Sequence, residues 1–225
     1  MRVKLRKVRA VSGTLTGVSL VFLATSTGYA QGSQADHVYR ARAIIQGAAN
    51  AGISGIATFT QTTSGFISNV LVEVVVLGLK PGERHGLHLH EYGSCGDTNS
   101  VTGATGAFMG AGGHYDPGPN GNSNPDGNHP FHMGDLPNLG ANDFGVALLS
   151  YRTSRVTLSP GPVSLFHSNE GTDVANSAVI LHLNEDQGTT GVTGGSGGAR
   201  IACGVIERVS GFDDVTAEDA KARGR

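Results

Sequence analysis

The chain predicts an all-β fold: an eight-stranded antiparallel Greek-key β-sandwich or barrel with two long functional loops. Three observations predict it. Glycine and proline number 35 and 8 among 225 residues, too many helix breakers for a helical bundle. The β-rich runs are short and bounded by Gly, Asn, Asp or Pro. No stretch carries a convincing helical period. The length suffices for a sizeable core, and a hydrophobic content of 38% excludes a polytopic membrane protein.

The first element is not part of the fold. Arg2, Lys4, Arg6, Lys7 and Arg9 precede an apolar stretch over 11–24 and a small-residue end at Gly28-Tyr29-Ala30. That is the layout of a secretory signal peptide over residues 1–30. The competing reading, a membrane anchor, needs about 20 apolar residues, and this run is shorter and broken by Gly and Thr. Loss of the leader leaves 11 Lys and Arg against 18 Asp and Glu, a net charge of −7. An acidic chain is a poor partner for nucleic acid or an anionic membrane. Export places the protein in the periplasm or outside the cell, where Cys95 and Cys203 default to a disulfide. No Cys-x-x-Cys pattern points to redox or metal use.

Residues 31–37 read as a flexible start, followed by one domain over 38–210. Strands are expected at 39–46, 55–61, 70–79, 86–92, 136–141, 145–151, 178–183 and 199–209. Two strand-free intervals separate them, 93–134 and 186–198. Loops this long in a compact domain are functional or disordered. The tail 211–225 is charged, and there are no internal repeats.

Chemistry concentrates in the histidines. In the strand His85-Gly86-Leu87-His88-Leu89-His90, alternation sends His88 and His90 to one face and Leu87 and Leu89 to the other. Such a pair offers two nitrogens to copper, zinc, nickel or iron, or forms a polar surface stripe. His114 sits in a Gly/Pro turn, His129 and His132 precede Asp135, and His182 ends an apolar strand. The carboxylate suits zinc better than copper.

These blocks resemble, in order, the signatures of copper/zinc superoxide dismutases: residues 85–92, 112–117, 132–136, the strand ending at His182, and 198–206. The resemblance covers about residues 38–209, and Cys95 followed by an insertion before His114 is similar to the bacterial exported branch. It implies the β-sandwich found in that family. It also implies copper on His88, His90, His114 and His182, with His114 bridging to zinc beside His132 and Asp135. Asp186 matches a carboxylate behind the two metals. Arg200 matches a cation at the copper entrance that attracts and orients the substrate. Cys95 and Cys203 match the family's disulfide, and His85 a structural histidine. His37 and His167 match nothing and read as surface residues.

The implied reaction converts superoxide to oxygen and hydrogen peroxide by copper redox cycling. His114 serves as the imidazole that takes and delivers a proton. Superoxide is the expected small-molecule partner, with no nucleic acid, no membrane after leader removal, and a homodimer as the candidate assembly. One departure matters. Midway between His114 and His132, where the family places another zinc-ligating histidine, this chain has Asn122, Ser123 and Asn124. Either His129 completes the zinc site or that site is weak or empty, which would make a copper-only dismutase. A non-enzymatic copper-binding domain on the same fold is a further alternative, but such a domain could dispense with His182 or Arg200, and both are present. A zinc hydrolase would need a general base at the metal, and alternation turns Glu91 away from His90.

Overall fold

The computed structural model describes residues 37–64, 67–117, 132–167, 176–187 and 197–209. The expected leader, His129 and the charged tail lie outside them. All eight expected strands are present: β1 (His37–Gly47), β2 (Ser54–Ser64), β3 (Ile67–Leu77), β4 (Arg84–His90), β5 (Asp135–Gly140), β6 (Ala147–Thr153), β7 (Ala178–His182) and β8 (Arg200–Arg208). They form one antiparallel sheet in the order β5-β4-β7-β8-β1-β2-β3-β6. An isolated bridge between Ala141 and Ala147 joins the two edges, so the sheet is a nearly closed barrel. Spatial order β7-β4-β5-β6 around that seam is a Greek key, three consecutive strands with the next returning beside the first.

Period-two patterning builds the interior. Ala41, Ala43 and Ile45 of β1, Val70, Val72, Val74 and Val76 of β3, and Leu87 and Leu89 of β4 all face one core. Truncating a leucine as buried as Leu87 or Leu89 costs about 2–5 kcal/mol. β4 and β7 differ from the rest because both their faces are buried. Their inner residues fill the barrel, while their outer residues are roofed by loops.

Among the strand ends that move from their expected places, two do so at a glycine. β3 stops at Leu77, not residue 79, because Gly78 turns the chain at φ 80° and a Cβ there would lie 2.1 Å from the Gly52 carbonyl oxygen. β6 begins at Ala147, not residue 145, because Gly145 has φ 72° and presses on the Leu79 carbonyl. Leu79 then plugs the barrel mouth, donating its N–H to the Gly145 carbonyl at 3.1 Å.

The expectation of two strand-free intervals needs correction: among the described residues, 154–167 and 176–177 also lie outside the strands. The first of these stretches packs Val156, Leu158 and Leu165 into the core. Buried Gln61 of β2 ties it down, donating to Ser159 Oγ at 3.0 Å and accepting from the Ser159 N–H at 2.8 Å. The segment lacks a strand period because buried side chains and the Gln61 hydrogen bonds, not a long ladder, hold it.

Cys95 and Cys203 form the disulfide, with Cα atoms 5.7 Å apart and a sequence separation of 108. It pins the 93–113 segment to β8 over a small cluster of Ala111, Ala178, Ile180 and Phe108. A single 3₁₀ turn, Met109–Ala111, lies in that segment.

Candidate metal centre

The alternation argued for β4 and β7 sets the site. His88 pairs with Ile180 and His90 with Ala178 across the β4–β7 ladder, so His88, His90 and His182 share the outer face. His114 joins them from the loop through a bridge to His90, with Tyr115 N–H donating to Leu89 O at 2.8 Å. The four imidazoles converge, each offering a nitrogen within 4.8 Å of the others. His114 also belongs to a second group with His132 and Asp135, within the same limit. Its ring lies between them, 4.0 Å from the His88 centroid and 4.5 Å from that of His132.

Distant oxygens decide which ring nitrogen each histidine presents. His90 Nδ1 lies 3.0 Å from Gly112 O, and His182 Nδ1 lies 2.8 Å from Gly198 O. Both therefore turn Nε2 inward, where the two atoms stand 3.4 Å apart. His88 is reversed: its Nε2 meets Asp186 Oδ2 at 2.7 Å. Its Nδ1 is buried with no hydrogen-bond partner among the described residues, an arrangement proteins avoid unless another ligand serves the atom. His114 Nδ1 meets Asp135 Oδ1 at 2.8 Å, leaving Nε2 toward the other three histidines. The donors fit two metals. Four imidazoles suit copper, and two imidazoles with a carboxylate suit zinc.

Burial keeps the first group neutral. It lowers the His90 pKa well below the usual 6.5, with the nearby His114 and the Arg200 cation adding to the effect. Burial also takes His182 to about 3, helped by His88. His114 falls to about 4 for the same reason, although the Asp135 hydrogen bond opposes it. Burial alone would raise Asp135, but hydrogen bonds to His114 and His132 hold it well below the carboxylate range. For His132, burial is outweighed by the hydrogen bond and charge of Asp135, and its pKa rises.

A pH prediction follows for metal-free protein. His114 and His182 have folded pKa values near 4 and 3 against 6.5 when unfolded, so the unfolded chain takes up protons first as pH falls. Their contribution to stability is fully present above about pH 6.5 and is lost as pH falls toward 4 and then 3. His132 works the other way. The melting temperature should be flat above neutrality and fall through that window, as thermal scans of chelator-treated protein will report. A flat curve down to pH 4 would contradict the burial of these rings.

The description "Copper/zinc superoxide dismutase (SODC)" belongs to the family model that matches residues 53–206. The chain belongs to the copper/zinc superoxide dismutase family. A superoxide dismutase of Deinococcus radiodurans is 35% identical over 162 residues, covering 70% of this chain and 79% of that protein. An extracellular superoxide dismutase of Drosophila melanogaster is 34% identical over 161 residues, 70% and 77% of the two chains. Among solved structures, a double mutant of a SOD-like protein from Bacillus subtilis aligns with TM-score 0.53 at 27% identity, over 73% of this chain and 95% of that one. Copper and zinc are the cofactors of this dismutase family.

Other expected site residues are placed as follows. Asp186 touches His88, and Asn138 grips its backbone on both sides, at 2.9 Å to its N–H and 2.8 Å to its carbonyl. His85 is buried, its Nδ1 2.9 Å from the His182 carbonyl, so it supports the backbone behind that ring. The Arg200 guanidinium donates to Phe108 O at 2.7 Å and Gly112 O at 2.5 Å. Gly112 O thus serves both Arg200 and His90. Glu91 is spent on the Gly113 N–H at 2.8 Å, away from the histidine cluster. His167 is not a plain surface residue: half-buried, it stacks on Tyr115 at 5.3 Å and meets Ser177 Oγ at 3.2 Å.

Sequence reasoning missed Arg155 and Asn138. Arg155 donates to the carbonyls of His132 and Asp135, the former at 3.2 Å. Asp135 in turn accepts the His132 N–H at 2.9 Å. The zinc-side turn is therefore held from both its ends. No local motif marks Arg155, because its partners lie about twenty residues away and are backbone atoms.

Proposed function

We propose that this protein is an exported superoxide dismutase that holds copper on His88, His90, His114 and His182 and zinc on His114, His132 and Asp135. The carrying observation is the four-imidazole cluster, with His88 offering a buried and otherwise unserved Nδ1. When bound, copper supplies a one-electron couple that oxidises one superoxide and reduces another. The chain supplies the rest. Arg200 is a cation whose pKa is lowered by burial and supported by Glu91, and it draws an anion toward the cluster. His114 stands between the two groups, with Nδ1 on the side of Asp135 and His132 and Nε2 on the side of the other three histidines, and Nε2 is the atom that would take and release a proton. Asp186 and Asn138 keep His88 oriented. The extracellular relative and the leader-like start support export.

Metal analysis of purified protein beside a superoxide-consumption assay, with and without added copper, tests this reading. Activity that ignores copper would end it. For steering, Arg200→Glu should slow turnover more than Arg200→Ala, with copper content unchanged in both. The wild-type rate should fall with salt, since screening sets in over about 8–10 Å near physiological ionic strength. A rate indifferent to both substitutions would place the guanidinium out of reach of the substrate.

His129 is our proposed fourth zinc ligand, since a closed zinc site takes four. His129→Ala should lower zinc affinity at least about tenfold, or 1.4 kcal/mol, and reduce thermal stability while costing little activity. The copper-only reading is favoured by Asn122, Ser123 and Asn124 standing where the family pattern has a histidine. Protein that carries copper alone in ample zinc would select it.

A further inference from the structure

The peptide that links Gly112 to Gly113 is held from both of its sides. Its carbonyl, Gly112 O, accepts from Arg200 at 2.5 Å and lies 3.0 Å from His90 Nδ1. Its N–H, that of Gly113, donates to Glu91 Oε2 at 2.8 Å. In a trans peptide the C=O and N–H point in opposite directions, so holding one aims the other. The backbone by itself does not fix that aim. Gly112 has φ 75° and ψ −156°, and half a rotation about ψ leads toward the left-handed region that glycine also occupies. The flanking groups are tied by main-chain bonds, Gly112 N–H to Met109 O at 3.1 Å and Glu91 N–H to Gly113 O at 3.0 Å. The 112–113 peptide is held by side chains instead. Two of these, on His90 and Arg200, belong to the groups that the carbonyl must orient, whereas Glu91 is a hold independent of them. A Cβ on Gly112 would lie 2.4 Å from Glu91 Oε2 and 2.7 Å from the Tyr92 ring, so the carboxylate packs directly on the turn.

We propose that Glu91 is a positioning residue whose carboxylate locks the 112–113 peptide with Gly112 O facing His90 and Arg200. This rests on the dismutase reading of the site. Glu91 stays outside the histidine cluster and acts on two of its groups through one carbonyl. For His90, that carbonyl keeps the proton on Nδ1 and leaves Nε2 to the metal. For Arg200, it fixes one arm of the guanidinium beside the cluster. The carboxylate also sets a negative charge near Arg200, which by itself would weaken the pull on an anion. The two effects have opposite signs on substitution: a lost lock slows the enzyme, and a lost charge speeds it.

Two variants separate them. Glu91→Gln keeps an acceptor oxygen and removes the charge, while Glu91→Ala removes both. Azide, titrated against the copper absorption of loaded protein, serves as the anion probe beside the superoxide assay. Partners that orient a metal ligand cost about 10–100-fold when removed, and Glu91 acts through such a partner. Glu91→Ala should therefore weaken azide binding and lower the superoxide rate at least about fivefold, with Glu91→Gln within about twofold of wild type. Amide hydrogen exchange of metal-free protein reads the lock without copper or turnover. Gly113 N–H should exchange at least about fivefold faster in Glu91→Ala than in wild type or Glu91→Gln. The Leu89 and Tyr115 N–H groups, bonded to Gly134 O and Leu89 O, should be unchanged and so report an intact fold. Equal behaviour of the two variants in azide affinity and rate overturns the proposal. So does Gly113 exchange indifferent to Glu91→Ala. Protein that binds no copper would end the dismutase reading instead, and the exchange rates would still decide whether Glu91 holds the peptide.

Discussion

Replacing His182 with alanine is expected to strip most of the copper and nearly all dismutase activity from a barrel that stays folded. The argument is geometric. The Gly198 carbonyl commits His182 Nδ1, which turns Nε2 inward to 3.4 Å from His90 Nε2. Loss of that ring removes one of four nitrogens and opens a gap beside His90. Partners that merely orient a ligand cost 10–100-fold in metal affinity when removed, so loss of a ligand should cost at least about a hundredfold. Folding should survive because the inner residues of β7, Val179 and Leu181, are unchanged. His85 also keeps its acceptor, which is the backbone carbonyl of residue 182. His88→Ala should act alike. Metal analysis and the superoxide assay check the expectation, and a His182→Ala protein with full copper and full rate would remove His182 from the site.

Reduction of the Cys95–Cys203 bond should be the largest blow to stability. Its 108-residue loop removes about 4–5 kcal/mol of denatured-state entropy in the chain-entropy model. At about 2–4 °C per kcal/mol for a chain of this size, the melting temperature should drop on the order of 10 °C. The same bond anchors the segment that carries Phe108 and Gly112, the acceptors of Arg200. Gly112 also orients His90. Reduction should therefore lower activity at temperatures where the barrel is still folded. Thiol titration before reduction should find no reactive cysteine. Two reactive thiols on folded protein, or an unchanged melting temperature after reduction, would contradict this account.

The zinc side shows where local reading loses its grip. Asp135 and His132 are three residues apart, and their cooperation is visible as a motif. Arg155 is equally close in space but reaches them through main-chain carbonyls, which every residue possesses and no pattern distinguishes. Gln61 is a similar case. It reads as an ordinary strand residue, yet it is fully buried because Ser159 and Leu158 descend onto it from a segment almost a hundred residues away.

Local chemistry alone determined that this chain makes eight short strands, that His88 and His90 share a face, that Leu87 and Leu89 oppose them, and that two cysteines stand ready to pair. Each follows from steric alternation or residue type within a few positions. The place of His114 between both groups came from the family resemblance, not from local chemistry. Only the tertiary structure decided which nitrogen each histidine turns inward and that Gly112 serves Arg200 and His90 together. Those outcomes depend on which distant oxygen lands beside which ring. That is fixed by the strand order β5-β4-β7-β8 and by loops whose partners are remote in sequence, where neither periodicity nor spacing carries a signal.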